Sequence, residues 1–305
     1  MDGSIMKKII CLFSIVFLAA SCYQKIEFDP APWYYDPSDH DSREALKVMS
    51  FNVRYRAVDD TGIKDWANRK AGVFEMFENI LPTIAGLQEP DKTQVQELET
   101  ALPQYSFANG AWSEGQTGEY CTILYLTDSL ALEDEGTFWL SETPEVASIL
   151  DGCYNYRICH WAKMRVKSTG TKFLFLNTHL ENGSQIKHDN LRAFEMQVIK
   201  SKLPVINPEN LPWIMVGDLN TSDTDAIFED FFIEYGMKSA RATARRSDNS
   251  RTFNNYGTSA TAQYDHIFYS GFPAVSQFGT VTQKWANLAY ISDHYPVYAI
   301  MRFDK

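Results

Sequence analysis

The sequence predicts an α/β protein in which two β-sheets pack face to face with helices on the outside. Three observations carry this expectation. The chain opens in a β-α-β-α order, its middle and end are runs of strands punctuated by few helices, and no linker-like stretch divides residues 45–305. A length of 305 residues is enough to bury a sizeable core, and 45% hydrophobic with 22% charged residues is ordinary for a globular chain.

Each element has a local reason. Residues 46–55 alternate and carry Val and Phe, which predicts a strand near the domain's start. Residues 66–81 have helical spacing, with Trp66, Val73, Phe74, Phe77 and Leu81 available for one face and Pro82 as the stop. Residues 84–89 form a short buried strand ending in Glu89, and 91–102 a helix that starts at an acidic cap and ends at Pro103. Strands follow at 120–126, 136–140, 160–166 and 172–179, then a helix at 188–203. The apolar run Trp213-Ile214-Met215-Val216 is a buried strand bounded by Gly217, and a helix is expected at about 225–235. Strands at 263–269, 275–281 and 295–303 close the chain.

The first residues are read apart from the fold. Lys7-Lys8 is a positive region, Ile9 to Ala20 is almost wholly apolar, and small residues precede Cys22. This is an export signal over residues 1–21, too short for a confident membrane span. The cysteine after small residues resembles the lipobox of bacterial lipoproteins, which implies lipidation of Cys22 and a tether over residues 22–44. The expectation is an exported protein held to a bacterial membrane through an N-terminal lipid, and a monomer. Of the five cysteines, Cys121, Cys153 and Cys159 then remain. Cys153 and Cys159 are close enough to pair, and the odd count leaves at least one thiol free.

The formal net charge is -11. A grip on long nucleic acid is expected to need a basic face, so the acidity argues against a processive nuclease and towards a small or neutral-bodied substrate with one phosphate.

The chemistry is written at the strand ends. On a strand, positions i and i+2 face the same side. Asp218 and Asn220 project together after the Trp213 run, and Asn177 and His179 finish the strand before it. Asn52 lies in the first strand, Glu89 ends the second, Asp265 lies in the 263–269 strand, and Asp293-His294 precede the last. Alone, Gly217-Asp218-Leu219-Asn220 is also a good turn sequence. Five strands each finishing in Asn, Asp, Glu or His are harder to explain as turns. Converging carboxylates repel one another and suit a hard divalent cation, with Mg²⁺ preferred when phosphate completes its shell and Mn²⁺ as a substitute. Imidazoles beside it are suited to proton transfer and to stabilising charge on phosphorus-bound oxygen. The chemistry that needs this set is metal-assisted attack of water on phosphorus.

Six stretches carry a resemblance: Ser50-Phe51-Asn52-Val53, Leu87-Gln88-Glu89, Asn177-Thr178-His179-Leu180, Gly217-Asp218-Leu219-Asn220, Tyr264-Asp265-His266-Ile267-Phe268 and Ser292-Asp293-His294-Tyr295-Pro296-Val297. In this order they resemble the endonuclease/exonuclease/phosphatase superfamily of DNase I-like nucleases, deadenylases, sphingomyelinases and inositol-phosphate phosphatases. The resemblance implies a DNase I-like four-layered α/β sandwich over residues 45–305. It implies a Mg²⁺-dependent phosphoesterase acting on a sugar, lipid or nucleotide phosphate, with a secreted nuclease as the alternative and a non-catalytic binding lipoprotein as the third reading. Glu89 would be the main metal ligand with Asn52 beside it, and Asp293 would complete the metal shell or a second site. Asp218 would orient and deprotonate the attacking water, and Asn220 would hold the phosphate. His294, kept in place by Asp265, would donate to a phosphate oxygen. His179 would be a second phosphate contact or a general acid, steadied by Glu119. Asn177 is grouped with the substrate-binding residues. Arg157 is a candidate phosphate clamp, since its fork of donors fits two oxygens. Asn254 departs from the pattern, standing where related exported sequences often have histidine.

Overall fold

The computed structural model describes residues 45–115, 117–259 and 262–303. The export signal, Cys22 and the tether lie outside them. No helix among the described residues is long and apolar enough to cross a membrane.

Two six-stranded sheets face each other. The first holds β1 (Ala45–Asn52), β2 (Ile84–Gln88), β3 (Tyr105–Ala108), β4 (Cys121–Leu126), β11 (Ala274–Thr280) and β12 (Val297–Arg302), in the order β11-β12-β1-β2-β4-β3. The second holds β5 (Leu130–Trp139), β6 (Ile158–Val166), β7 (Lys172–His179), β8 (Trp213–Asp218), β9 (Lys238–Ser239) and β10 (Asp265–Ser270), in the order β5-β6-β7-β8-β10-β9. In each sheet the central pair is parallel, β1 with β2 and β7 with β8.

Side-chain alternation explains the layering. In β8, Ile214 and Val216 join the core between the sheets, while Trp213 and Met215 face outward under helices. In β7, Phe173 and Phe175 point inward and Leu174 and Leu176 outward. Both faces are buried, so these strands read as unbroken apolar runs. Helix α1 (Trp66–Ile80) covers the outer face of the first sheet, setting Trp66, Val73, Met76 and Phe77 on Met49, Phe51 and Leu87. Helix α3 (Ile186–Ile206) covers the second, with Met196, Ile199 and Leu203 in one cluster with Leu174, Met215 and Phe268. The result is the four-layered α/β sandwich that the sequence predicts.

The element boundaries moved for identifiable reasons. The first strand stops at Asn52 because Arg54 takes a left-handed conformation (φ 59°). Helix α2 (Lys92–Ala101) begins at a capping box: Asp91 accepts from the Gln94 backbone while the Gln94 side chain accepts from Asp91 N. The helix expected near 225–235 is a 3₁₀ turn at Ala226–Phe228 followed by the short α4 (Glu229–Glu234). Strand β5 runs six residues further back than the apolar stretch at 136–140 indicated, because its first half is polar and half-exposed. Strands β3 and β9 and the one-turn α5 (Ala240–Thr243) have too little pattern to read from sequence. Cys121, Cys153 and Cys159 are all free thiols.

Asn177 is one point where the sheets are tied. Its side-chain NH₂ donates to the carbonyls of Leu87 (2.8 Å) and Thr122 (2.9 Å), and its Oδ1 accepts from Gln88 Nε2 at 2.7 Å. It is fully buried and does not line the cleft described below, so the structure sets it between the sheets. The i, i+2 rule put it on the same face as His179; two residues further inside the sandwich, that face meets the other sheet. Asn177→Ala leaves two carbonyls without this partner and opens a cavity. Urea unfolding is expected to show a loss of about 2–4 kcal/mol. A change in KM at unchanged stability would instead restore a substrate contact.

Candidate active site

Strand register assembles the site. His179 at the end of β7 is level with Asp218 at the end of β8, and antiparallel β10 sets Asp265 level with Asp218 from the other side. In the facing sheet Asn52 is level with Gln88, and Glu89 is the next residue. A Cβ at Gly217 would run into the Thr178 carbonyl oxygen, so the glycine of Gly217-Asp218-Leu219-Asn220 allows the close β7–β8 approach. Two non-glycine residues at the strand ends are left-handed, Glu89 (φ 70°) and Asn220 (φ 51°). Such backbone costs roughly 1–3 kcal/mol and clusters at functional sites.

Asp218 is the hub. Its Oδ2 accepts from Asn52 Nδ2 at 3.0 Å and lies 3.5 Å from both His179 Nε2 and His294 Nε2. Its Oδ1 accepts from the Asn220 backbone at 3.1 Å. Asn52 reaches across the sheets, since its Nδ2 also donates to Glu89 Oε1 at 2.8 Å. The Asn220 amide donates to His179 Nε2 (3.1 Å) and to the Leu180 carbonyl (3.0 Å). His294 Nδ1 and Asp265 Oδ2 are 2.8 Å apart, and Asp265 is sealed beneath the histidine.

The two imidazoles are driven apart. Burial, reinforced by the neighbouring Arg157 cation, pushes His179 down to about 3, so the ring is neutral near pH 7. Burial also opposes charge on His294, but Asp265 and Asp218 outweigh it and raise the ring well above the ordinary range. Two like groups with opposed protonation beside one carboxylate are the signature of divided roles in catalysis.

The acidic end is strained by its own charge. Burial and the nearby Asp293 raise Glu89 above the usual carboxylate range, and burial with Glu89 pushes Glu119 up to about 8. Arg54 offsets part of this, its NH1 lying 3.9 Å from Asp293 Oδ2 and its Nε bonded to Asp60. Glu89 and Asp293 offer buried or half-buried oxygen donors with more negative charge than their surroundings neutralise, and a hard divalent cation fits that donor set. The tightest acidic grouping here is a different one, Asp218, Asp265 and His294, with ligand-type atoms all within 4.8 Å. The His294–Asp265 hydrogen bond already joins two of its members.

Most of the expected residues come together. Glu89, Glu119, Arg157, His179, Asp218, Asn220, Asp293 and His294 line one cleft of about 430 Å³. Asn52 and Asp265 stand behind it, bonded to its lining. Glu119 shares the wall with His179, but the hydrogen bond on the His179 ring comes from Asn220. Trp112 lies outside this lining, packed edge-on to Tyr120 under Lys92. His266 Nε2 donates to the Thr221 carbonyl at 2.8 Å.

Sequence reasoning missed several lining residues. Arg54 was readable from its i+2 spacing to Asn52. Tyr55, Lys64, Asn155, Asn182 and Tyr256 carry no pattern of their own. Also missed was Arg69 of α1, fully buried, whose NH1 bonds the Val53 and Ile291 carbonyls at 2.8 Å each and so fixes the end of β1 against the Asp293 segment. Residues 252–256 grip the same segment: the backbone amides of Asn254 and Asn255 both donate to the Asp293 carbonyl (2.8 and 3.0 Å). Asn254 is no substitute histidine. Its Oδ1 caps Tyr256 N at 2.8 Å, holding a turn in which Asn255 and Tyr256 are left-handed.

A two-sheet sandwich with this cluster at one end of both sheets is of the DNase I-like kind. The chain belongs to the endonuclease/exonuclease/phosphatase family, whose model matches residues 49–294. A family structure from Bacteroides vulgatus is 28% identical, with a TM-score of 0.78 over 85% of this chain and 99% of that one. The mannosyl-6-phosphatase of Bacteroides thetaiotaomicron VPI-5482 is 29% identical, with a TM-score of 0.76 over 85% of this chain and 100% of that one. The human Nocturnin catalytic domain shares the fold at 20% identity, TM-score 0.65, over 86% of this chain and 94% of that one. An uncharacterized protein of Acanthamoeba polyphaga mimivirus is 23% identical over 164 residues, a match spanning 40% of this chain and 23% of that protein's length.

Proposed function

We propose that the protein is a divalent-metal-dependent phosphoesterase that hydrolyses a small sugar phosphate by in-line attack of water. The observation that carries this reading is Asp218 Oδ2 held 3.5 Å from the Nε2 atoms of both His179 and His294, in a cleft also lined by Glu89 and Asp293. Mg²⁺ bound by Glu89 and Asp293 would supply charge neutralisation to the phosphoryl oxygens. Asp218 orients the water and takes its proton, with Asn52 fixing the carboxylate. Asn220 and neutral His179 contact the phosphate, and His294, oriented by Asp265, donates to an oxygen as charge develops. Arg157 clamps two further oxygens.

The leaving-group side supports a single hydroxyl-rich ring. The Phe253 ring lies 5.0 Å from His294 and 6.0 Å from Tyr264, an aromatic wall beside the reacting centre. The amides of Asn155, Asn182 and Asn255 line the same cleft and are suited to hydroxyls. The likeness to the mannosyl-6-phosphatase points the same way. A nuclease is the second reading, favoured by Arg54 and Lys64 in the cleft lining, cations suited to a further backbone phosphate. In this proposal the enzyme is exported, monomeric and anchored through lipidated Cys22, and the support for that is the sequence of residues 1–44.

The test compares hexose 6-phosphates, p-nitrophenyl phosphate, bis-p-nitrophenyl phosphate and single-stranded DNA with and without Mg²⁺. Metal-dependent turnover is expected to be fastest on a hexose phosphate. Phe253→Ala is expected to raise KM for that substrate roughly tenfold and to change p-nitrophenyl phosphate little. Preference for DNA would move the assignment to the nuclease. Mg²⁺ binding without turnover of any ester would leave only a binding lipoprotein.

A further inference from the structure

Behind the cleft wall, Arg157 is held by a charged cluster whose other members have no part in the chemistry above. Glu181, two residues after His179, and Glu195 on α3 are fully buried, and Arg157 and Arg192 nearly so. Glu181 Oε2 accepts from Arg157 Nε at 3.3 Å, and its Oε1 accepts from the Tyr154 backbone at 3.0 Å. The Glu181 backbone is itself fixed: its N–H donates to Glu195 Oε2 (2.8 Å) and its carbonyl accepts from Arg192 NH1 (2.9 Å).

A buried ion pair is weak evidence for stability, since desolvating both partners offsets much of their attraction. Geometry gives this one a purpose. A guanidinium presents donors along separate edges. Glu181 holds the Nε edge of Arg157, whose two terminal nitrogens have no hydrogen bond among the described residues while the side chain lines the cleft. That leaves the terminal edge free to take two oxygens of one phosphate.

We infer that Glu181 is a positioning residue that aims Arg157 at the substrate phosphate. The inference rests on the phosphoesterase reading. Because Glu181 lies two residues after His179, one short segment carries both His179 and the partner of Arg157. Of the two buried carboxyl groups, Glu181 is the one bonded to Arg157.

The experiment measures competitive inhibition by inorganic phosphate, alongside kcat and KM, in Glu181→Gln, Glu195→Gln, Arg157→Met and the Glu181→Gln/Arg157→Met double variant. Glu181→Gln is expected to weaken phosphate inhibition roughly tenfold. Glu195→Gln, which alters the same buried cluster without touching Arg157, is expected to leave it within twofold. The double variant is expected to match Arg157→Met alone. Equal effects in the two glutamine variants, or additive effects in the double variant, overturn the inference. If Glu181→Gln does not fold, Glu181→Asp, which withdraws the carboxylate by one methylene, takes its place with the same expected pattern. A wild type that hydrolyses no ester and is not bound by phosphate fails the functional reading itself, a result distinct from either outcome.

Discussion

Asp218→Asn is expected to lower kcat by roughly 10³-fold while the protein stays folded, the range that a positioned general base contributes. The substitution keeps the shape and the Oδ1 contact with the Asn220 backbone, yet removes the carboxylate placed to take a proton between His179 and His294. Stability should hold or rise, because one negative charge leaves a buried site that already contains Asp265 and neighbours Glu89. Steady-state kinetics together with a thermal melt check this. Near-wild-type kcat in a folded variant would falsify the assignment of Asp218 as the base. A loss of activity that follows a loss of folded protein would show only that Asp218 is structural.

Removing the metal is expected to have an effect of the same order. A cation that neutralises charge on phosphoryl oxygens contributes several kcal/mol, so chelation with EDTA should cost roughly 10³-fold in turnover, restored by added Mg²⁺. Glu89→Gln should raise the Mg²⁺ concentration needed for half-maximal activity, because the amide has lost the charge that recruits the ion. In the metal-free protein the same variant should be more stable. Glu89 is raised by burial and by Asp293, and a group whose folded pKa is raised above its unfolded value is favoured below that window and destabilising above it. At neutral pH, above the unfolded value, the raised Glu89 carboxyl is therefore a cost that glutamine removes. Titration of activity and of melting temperature against Mg²⁺ tests both parts. EDTA-resistant turnover would exclude the metal from the mechanism.

Much of this was legible in the chain. The runs of β7 and β8 are apolar because both faces of each strand are buried, so their presence and their polar ends could be read without a structure. The i, i+2 spacing placed Asp218 with Asn220, and the six stretches in order brought Asn52, Glu89, His179, Asp265, Asp293 and His294 to one candidate site. The same rule misled at Asn177, whose face is shared with His179 but lies where the other sheet closes over it. Spacing gives the direction of a side chain and says nothing about what will stand in front of it.

The sequence by itself determined the layered α/β class, the strands that end in functional groups and the acidic balance that argues against a grip on long nucleic acid, because these follow from short-range periodicity and composition. Only the tertiary structure decided which groups meet. Asn52 touches Asp218 across 166 positions of chain, and Arg69 fixes the Asp293 segment across 222. The opposed states of His179 and His294 arise from burial and from charges on other strands, and the Glu181–Arg157 pair depends on the register that sets the start of β6 against the end of β7. Desolvation and Coulomb terms depend on three-dimensional distance, which no local pattern in the chain encodes.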